Sequence, residues 1–342
     1  MTTPASATGT AAPPRSRSRG ALVLVRFARN RLALVGIALV VALVLLAYAV
    51  PPFLHWTYHD NDFASLDTGP GAAHWFGTTH SGQDLFALTL RGLQKSLVVG
   101  LVGGPLTTLI AAVVGASAGY FGGWTDRVLM WFLDLMLVIP AFLLLAVLSP
   151  AFQHGTWLFF VILLAAFGWM ITGRVVRSMT QTLREREYVL AARYMGVHPL
   201  VVIFRHILPN AASILIIDAT VQVGAIVLGE TSLSYFGFGI QAPDVSLGTL
   251  IAAGTPDANT SPWLFFFPAA FLVLIGLSVA FIGDGLRDAF DPTARGAKSR
   301  RRARPAVPRS RHARTARTAR NPRRKPTAAV VPAAATQEGV TP

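Results

Sequence analysis

Six apolar stretches, each about as long as a bilayer is thick, divide this chain of 342 residues and leave few folds open to it. They run from Leu32 to Val50, Ser96 to Phe121, Val128 to Ser149, Trp157 to Gly173, Ala211 to Leu233 and Leu264 to Ile282. In hydrocarbon there is no water to bond backbone N–H and C=O groups, so a segment of this length closes its hydrogen bonds within itself as a helix. Hydrophobic residues make up 53% of the chain and charged residues 13%, more apolar surface than a soluble domain of this size can bury. The expected fold is all-α and polytopic, with six transmembrane helices and both termini on one side.

Charge decides which side. Assigning the N-terminus, the loop at Arg127, the segment 174–210 and the tail after 286 to the cytoplasm places all 30 Lys and Arg residues inside except Arg91 and Lys95. The exterior segments instead carry Asp60, Asp62, Asp67, Asp84, Asp244 and Asp257, and the opposite orientation would invert this bias. The basic leader, the first apolar run and Ala47-Tyr48-Ala49 together imitate a cleavable secretory signal. That run is as long as a bilayer span and five more follow, so it is expected to remain as an anchor. The absence of cysteine excludes disulfides and cysteine-ligated metal.

Residues 1–20 read as a disordered cytoplasmic leader, 21–54 as an N-terminal transmembrane helix and 55–95 as an exterior segment. A five-helix core follows over 96–292, interrupted by a cytoplasmic loop at 174–210, and 293–342 reads as a disordered basic cytoplasmic tail. Arg300-Arg301-Arg302 and Arg323-Arg324-Lys325 in that tail suit anionic inner-leaflet lipid, which is favoured over nucleic acid as its partner. In the second span, small residues at 100/104, 115/119 and 119/123 form faces on which helix backbones can approach closely, and Pro105 removes a backbone hydrogen bond, which is tolerable where a neighbouring helix covers the kink. His55, His74 and His80 lack metal-ligand spacing and read as surface or interface residues.

Carboxylates inside spans are costly and therefore informative. Asp134, ahead of Pro140, reads as helix packing or a polar bridge; Asp218 fits an interhelical bond or the translocation path equally; Glu230 and Asp284 lie at span edges. No catalytic set appears. The phosphate-loop pattern is missing, since Gly296-Ala297-Lys298-Ser299 lacks the glycine before lysine, and there is no His-Glu-x-x-His or serine elbow.

The segment Glu187-Tyr188-Val189-Leu190-Ala191-Ala192-Arg193-Tyr194-Met195-Gly196, then Arg205-His206-Ile207-Leu208-Pro209-Asn210, reads as a helix closed by Gly196 and restarted at Pro199. It resembles the Glu-Ala-Ala loop of binding-protein-dependent ABC importer permeases, with Leu190 in place of the glutamate and His206 at the isoleucine position. Three further stretches resemble the dipeptide, oligopeptide and nickel branch of that family. They are His74 to Leu85, in which Thr79 and Gln83 replace an Asp and an Arg, then Glu230 to Gly239 with Gly248-Thr249-Leu250, and Gly283 to Pro292.

The resemblance implies a type I ABC importer permease fold in the bacterial cell membrane, of the second-type, C-like subunit. It implies that Glu187, Tyr188, Ala191, Ala192, Arg193, Tyr194, Met195, Gly196 and Pro209 meet the ATPase. It also implies that Asp218, Glu230, Thr231 and Ser232 lie near the translocation path or exterior gate. The implied partners are a second, homologous permease forming a heterodimer, two ATPase subunits carrying the ATP and Mg, and an extracytoplasmic solute-binding protein. No catalytic residue, cofactor or metal is expected on this chain. Di- and oligopeptides are the expected cargo, with nickel or glutathione-like solutes as the alternative. A self-contained secondary transporter would need ion-coupling residues at mid-membrane, of which the sequence offers few.

Overall fold

The computed structural model describes residues 19–152 and 157–290. The expected tail and almost all of the expected leader lie outside them. Twelve α-helices are found among the described residues, with no strand beyond the isolated bridges Asn61 to Gln83 and Thr78 to Asp84. They begin with α1 (Arg19–Phe27) and α2 (Arg31–Ala49). The expected single helix over 21–54 is thus broken at Asn30, whose side chain caps α2 by accepting from the Leu32 and Ala33 amides. An Asx side chain at this position satisfies amides that a first helical turn leaves without partners.

The spine of the fold is α3 (Leu85–Phe121), which begins well before the expected start at Ser96. Asp84 fixes that start, accepting from the Ala87 amide at 2.8 Å as N-cap. The span expected from Val128 to Ser149 is split into α4 (Gly123–Val138) and α5 (Ala141–Phe152), bent by 79°. The break falls at Pro140, where proline lacks the N–H and restricts the preceding Ile139 to extended backbone. The next span is likewise two pieces, α6 (Trp157–Gly168) and α7 (Met170–Arg184), with an angle of 49° at Trp169. Because α7 continues to Arg184, the first part of the expected loop 174–210 is helix.

The elbow comprises α8 (Glu187–Tyr194), α9 (Pro199–Val202) and a π-helical stretch at Ile203–Ile207, leading into α10 (Leu208–Tyr235). A short α11 (Leu247–Gly254) and the long α12 (Trp263–Phe290) complete the described chain. Among the described residues, four stretches are continuous and apolar enough to cross a bilayer, and counting each bent pair as one span gives up to six.

Helix α3 is surrounded by α2, α6, α7, α10 and α11. Lipid tails are as apolar as leucine, so contact between these helices depends on close packing and polar links rather than on escape from water. A Cβ on Gly104 would stand 2.6 Å from the Val223 backbone nitrogen of α10, and one on Gly119 would stand 2.6 Å from the Arg177 carbonyl of α7. The expected pairs 100/104 and 115/119 are therefore the seams of α3 with α10 and α7. The 119/123 pair is not a seam: Gly123 has φ +55° in the turn to α4 and nothing within 4 Å of its Cβ position.

Candidate coupling elbow and charged positions in the membrane

Gly196 ends α8 with φ +73°. Its amide donates to the Arg193 carbonyl at 3.0 Å, and the Val197 amide donates to the Ala192 carbonyl at 3.1 Å. This paired closure satisfies the last carbonyls of the helix and turns the chain sharply. Val189, Ala192, Val202, Ile203 and Ile207 pack into one buried cluster with Ala116, Tyr120 and Val176, and Val197 covers it. His198 caps α9, accepting from the Leu200 amide, and Pro199 occupies its first position. One face of the elbow is therefore seated on the ends of α3 and α7. One more link holds it there, since Arg193 lies 6.0 Å from the Tyr120 ring centre, while Arg184 of α7 donates to the Tyr120 carbonyl at 3.1 Å and ties the ends of α7 and α3 together.

The other face is uncovered. Tyr194 is 88% exposed and Met195 76%, and Glu187, Tyr188, Ala191, Arg193 and Gly196 are exposed around them. Beside them, Leu200, Val201, Phe204, Arg205 and Pro209 line an open, mostly apolar groove. Aromatic, Met and Arg side chains on a rigid turn are the composition of a protein-docking surface.

Asp218 accepts from Thr108 of α3 and from Thr172 of α7, the latter at 2.7 Å. It therefore forms the interhelical bond, one of the two roles left open for it. Glu230 has 0% exposure, accepting from Ser234 at 2.6 Å and from Ser96 at 3.3 Å. Thr231 is buried beside it, while Ser232 is exposed with its hydroxyl donating to the Leu228 carbonyl. Only Ser232 of these four faces outward in this conformation.

Helix α7 also carries two arginines that pair with α4, Arg174 with Asp134 and Arg177 with Asp126. The polar bridge expected of Asp134 is thus made to Arg174. Sequence reasoning did not single out Arg174 because it was read as the first residue of the cytoplasmic loop 174–210, whereas α7 runs on through it to Arg184. The signal available was the pair Arg174 and Arg177, one helical turn apart in a run that stays helix-forming up to Arg184.

On the far side, Arg91 and Lys95 both bind Asp244 at 2.7 Å. Partial burial pushes the Asp244 carboxyl up, but the bonds and charges of Lys95 and Arg91 together outweigh it and hold the carboxyl below the usual range. The two basic residues on the minority side are thus matched by an acid of the same side. His74 is buried, contrary to the surface reading, with Asp84 at 2.8 Å and Asp62 at 3.3 Å. His80 is largely exposed and bridges Asp257 at 2.9 Å and Asp67 at 3.4 Å. The Asp257 hydrogen bond is the largest cause raising its pKa above the ordinary value of 6.5. The Thr79 hydroxyl accepts from the Gln83 backbone N–H at 3.1 Å.

A multi-pass helical protein with two broken spans and a rigid, outward-facing elbow defines a membrane permease that works with other chains. The comparisons make this particular. Residues 111–296 match the family of binding-protein-dependent transport system inner membrane components, and residues 18–70 match the N-terminal transmembrane domain of oligopeptide transport permease C. The chain is 55% identical over 279 residues to the oligopeptide transport system permease protein OppC of Mycobacterium tuberculosis strain H37Rv, covering 81% of this chain and 96% of that protein. It is 34% identical to the Bacillus subtilis protein of the same name, over 80% of this chain and 89% of that one. A putative peptide permease of Brucella suis is 38% identical, over 79% of this chain and 89% of its own length. The chain belongs to this family and is a permease subunit of an ABC importer.

Proposed function

We propose that this chain carries di- and oligopeptides inward across the bacterial cell membrane as one of two different permease subunits, driven by ATPase subunits that dock on the elbow. The observation that carries the reading is the elbow's division into a face seated on α3 and α7 and an exposed face of Tyr188, Tyr194 and Met195. A partner that pushes on the exposed face moves the seated face with it, because the Gly196 closure and the Arg193 contact with Tyr120 leave little slack. The names of the relatives support peptides as cargo. The number of spans in this chain and its charge bias support an elbow in the cytoplasm, where ATP is, and a solute-binding protein delivering peptide on the opposite side.

In this reading, ATP binding closes the ATPase pair and brings the elbows together. Bent spans α4–α5 and α6–α7 then rearrange so that the path opens outward, and hydrolysis resets it: alternating access between two states of different affinity. Proton and metal chemistry are not required of this chain, since hydrolysis belongs to the partners. The test is co-purification from cells followed by reconstitution. An associated ATPase, stimulated by a peptide-loaded binding protein and accompanied by uptake of labelled peptide, is the expected result; purification of a transport-competent chain with no ATPase would overturn it.

A further inference from the structure

We propose that α1 is a seat for anionic lipid in the leaflet on the elbow's side, its apolar face entering the acyl boundary while Arg29 and Arg31 meet headgroup phosphates.

Helix α12 sets the depth. It starts beside Thr78, whose carbonyl accepts from the Trp263 indole at 3.4 Å, and α3 leads from that same side to the elbow at Tyr120, so α12 ends on the elbow's side. Its apolar run stops at Ile282, two residues before Asp284. A Cβ on Gly285 would stand 2.2 Å from the Ala33 Cβ of α2 and 3.4 Å from the Phe27 ring of α1, and Arg26 lies 3.5 Å from the Ala289 carbonyl. At 1.5 Å per residue these two places are ~5 and ~10 Å past Ile282. Helix α1 therefore lies at the hydrocarbon edge, level with the headgroups.

Its faces are unlike. Val23, Arg26 and Phe27 share one helical face and are partly covered by the protein, whereas Leu22, Leu24 and Val25 are uncovered, Leu24 by 68%. Just past the helix, Arg29 and Arg31 are exposed on either side of Asn30, which donates to Asp288 at 3.1 Å. At this rim Arg26, Arg29, Arg31 and Arg287 outnumber Asp284 and Asp288, and the surplus is positive. Anionic phosphate is its complement.

Position selects lipid over another subunit. Helix α2, into which α1 leads, is buried along one stripe only, Ala33, Gly36, Leu43 and Ala47, and exposes Leu34, Val35, Val41 and Leu45, as a helix does at the rim of a bundle. The elbow is seated elsewhere, on the ends of α3 and α7. An uncovered apolar face with arginines beside it, set at the membrane boundary, is the pattern of a helix that lies in the interface. Because Arg26 and Asn30 join α1 to the last turns of α12, lipid held there fixes the depth of both α2 and α12.

The chain has no cysteine, so an introduced thiol reports its own surroundings. In the whole transporter, with partner subunits freed of cysteine, Leu24→Cys carries a polarity-sensitive fluorophore. Leu45→Cys on α2 and Phe63→Cys in the exterior segment, both exposed, serve as comparisons for lipid and for water. Nanodiscs of equal parts phosphatidylcholine and phosphatidylglycerol carry a nitroxide near the headgroup end of an acyl chain, on one lipid or the other. The Leu24 label is expected to be quenched by nitroxide lipid and not by a water-soluble nitroxide, and about twofold more strongly when phosphatidylglycerol is the carrier. At Leu45 the carrier should make no difference.

Arg29→Gln/Arg31→Gln should abolish the preference while leaving the label quenched by lipid, since both side chains are exposed and away from the packed face. Quenching at Leu24 by the water-soluble reagent would put α1 in solvent, and quenching by neither would put it under another subunit. Equal quenching by the two carriers would remove the anionic lipid, and a preference that survives the double variant would remove the arginines as its phosphate contacts. Each of these results overturns the proposal.

Discussion

The side-chain amide of Gln222 on α10 donates to the carbonyl of Gly168, the last residue of α6, at 3.0 Å. A carbonyl at a helix end has no partner in a following turn, and inside a membrane water cannot be relied on to replace one. The bend at Trp169 is thus held by a residue from another span. Gln222→Leu keeps the bulk and removes the donor, and a loss of roughly 1 to 3 kcal/mol is expected. It is read as a lower thermal midpoint of the purified transporter. An unchanged midpoint would show that the break is held by other means.

Close approach of helix backbones predicts a contrast between two glycines. A methyl on Gly104 would meet the Val223 backbone of α10 at 2.6 Å, whereas nothing lies within 4 Å of the corresponding position on Gly276 in α12. Gly104→Ala should therefore separate α3 from α10 and cost about 1 to 3 kcal/mol through overpacking. Gly276→Ala should be neutral or slightly stabilising, since alanine is the better helix former by up to about 1 kcal/mol. Equal thermal shifts in the two variants would remove the basis for assigning the α3–α10 seam to small residues.

Much of this architecture is legible in the sequence because lipid imposes a coarse rule, length of apolar run, that six stretches obey. The breaks are less legible, for different reasons at the two sites. Pro140 announces a possible break in α4–α5, but the run Leu144 to Val147 after it is so apolar that hydropathy reads one span. At Trp169 no proline stands, and the bend is held by Gln222 from a span distant in sequence, which no local window can see. Helix α3 extends upstream to Leu85 because its polar residues Arg91, Gln94 and Lys95 find partners in Asp244 and the Ala47 carbonyl. The elbow is the opposite case: its glycine, its proline and its apolar spacing are all local, so its closure could be foreseen.

Titration of His80 predicts a pH-dependent tie on the face opposite the elbow. His80 faces Asp67 and Asp257, and Asp67 also accepts from Ser261 at 2.9 Å, so the segment before α3 is tied to the one before α12. The folded pKa is raised, so the stabilisation is fully present below 6.5 and is lost as pH rises through the folded value. The groups are largely exposed and screened, so a small effect is expected. Between about pH 6 and 9 the thermal midpoint should decline slightly more in the unaltered protein than in His80→Gln. Identical profiles for the two would mean that the tie does not depend on the imidazolium.

At Gly196, backbone conformation can be changed without disturbing packing. Its φ is +73°, and no atom of this chain lies within 4 Å of where a Cβ would stand, so within the subunit any effect of substitution arises from the turn itself. A β-branched residue is strained in the left-handed region by roughly 1 kcal/mol or more, and relief of that strain reopens the closure between Ala192 and Val197. Gly196→Val should insert and assemble, because the buried face of the elbow and all the spans are untouched. ATP hydrolysis stimulated by the loaded binding protein should fall, as Tyr194 and Met195 no longer point as the partner requires. Asparagine tolerates the left-handed region, so Gly196→Asn should recover most of the stimulated rate. A valine variant that hydrolyses ATP at the unaltered stimulated rate would exclude the Gly196 turn from coupling, and failure of asparagine to recover activity would show that something other than backbone strain is at work.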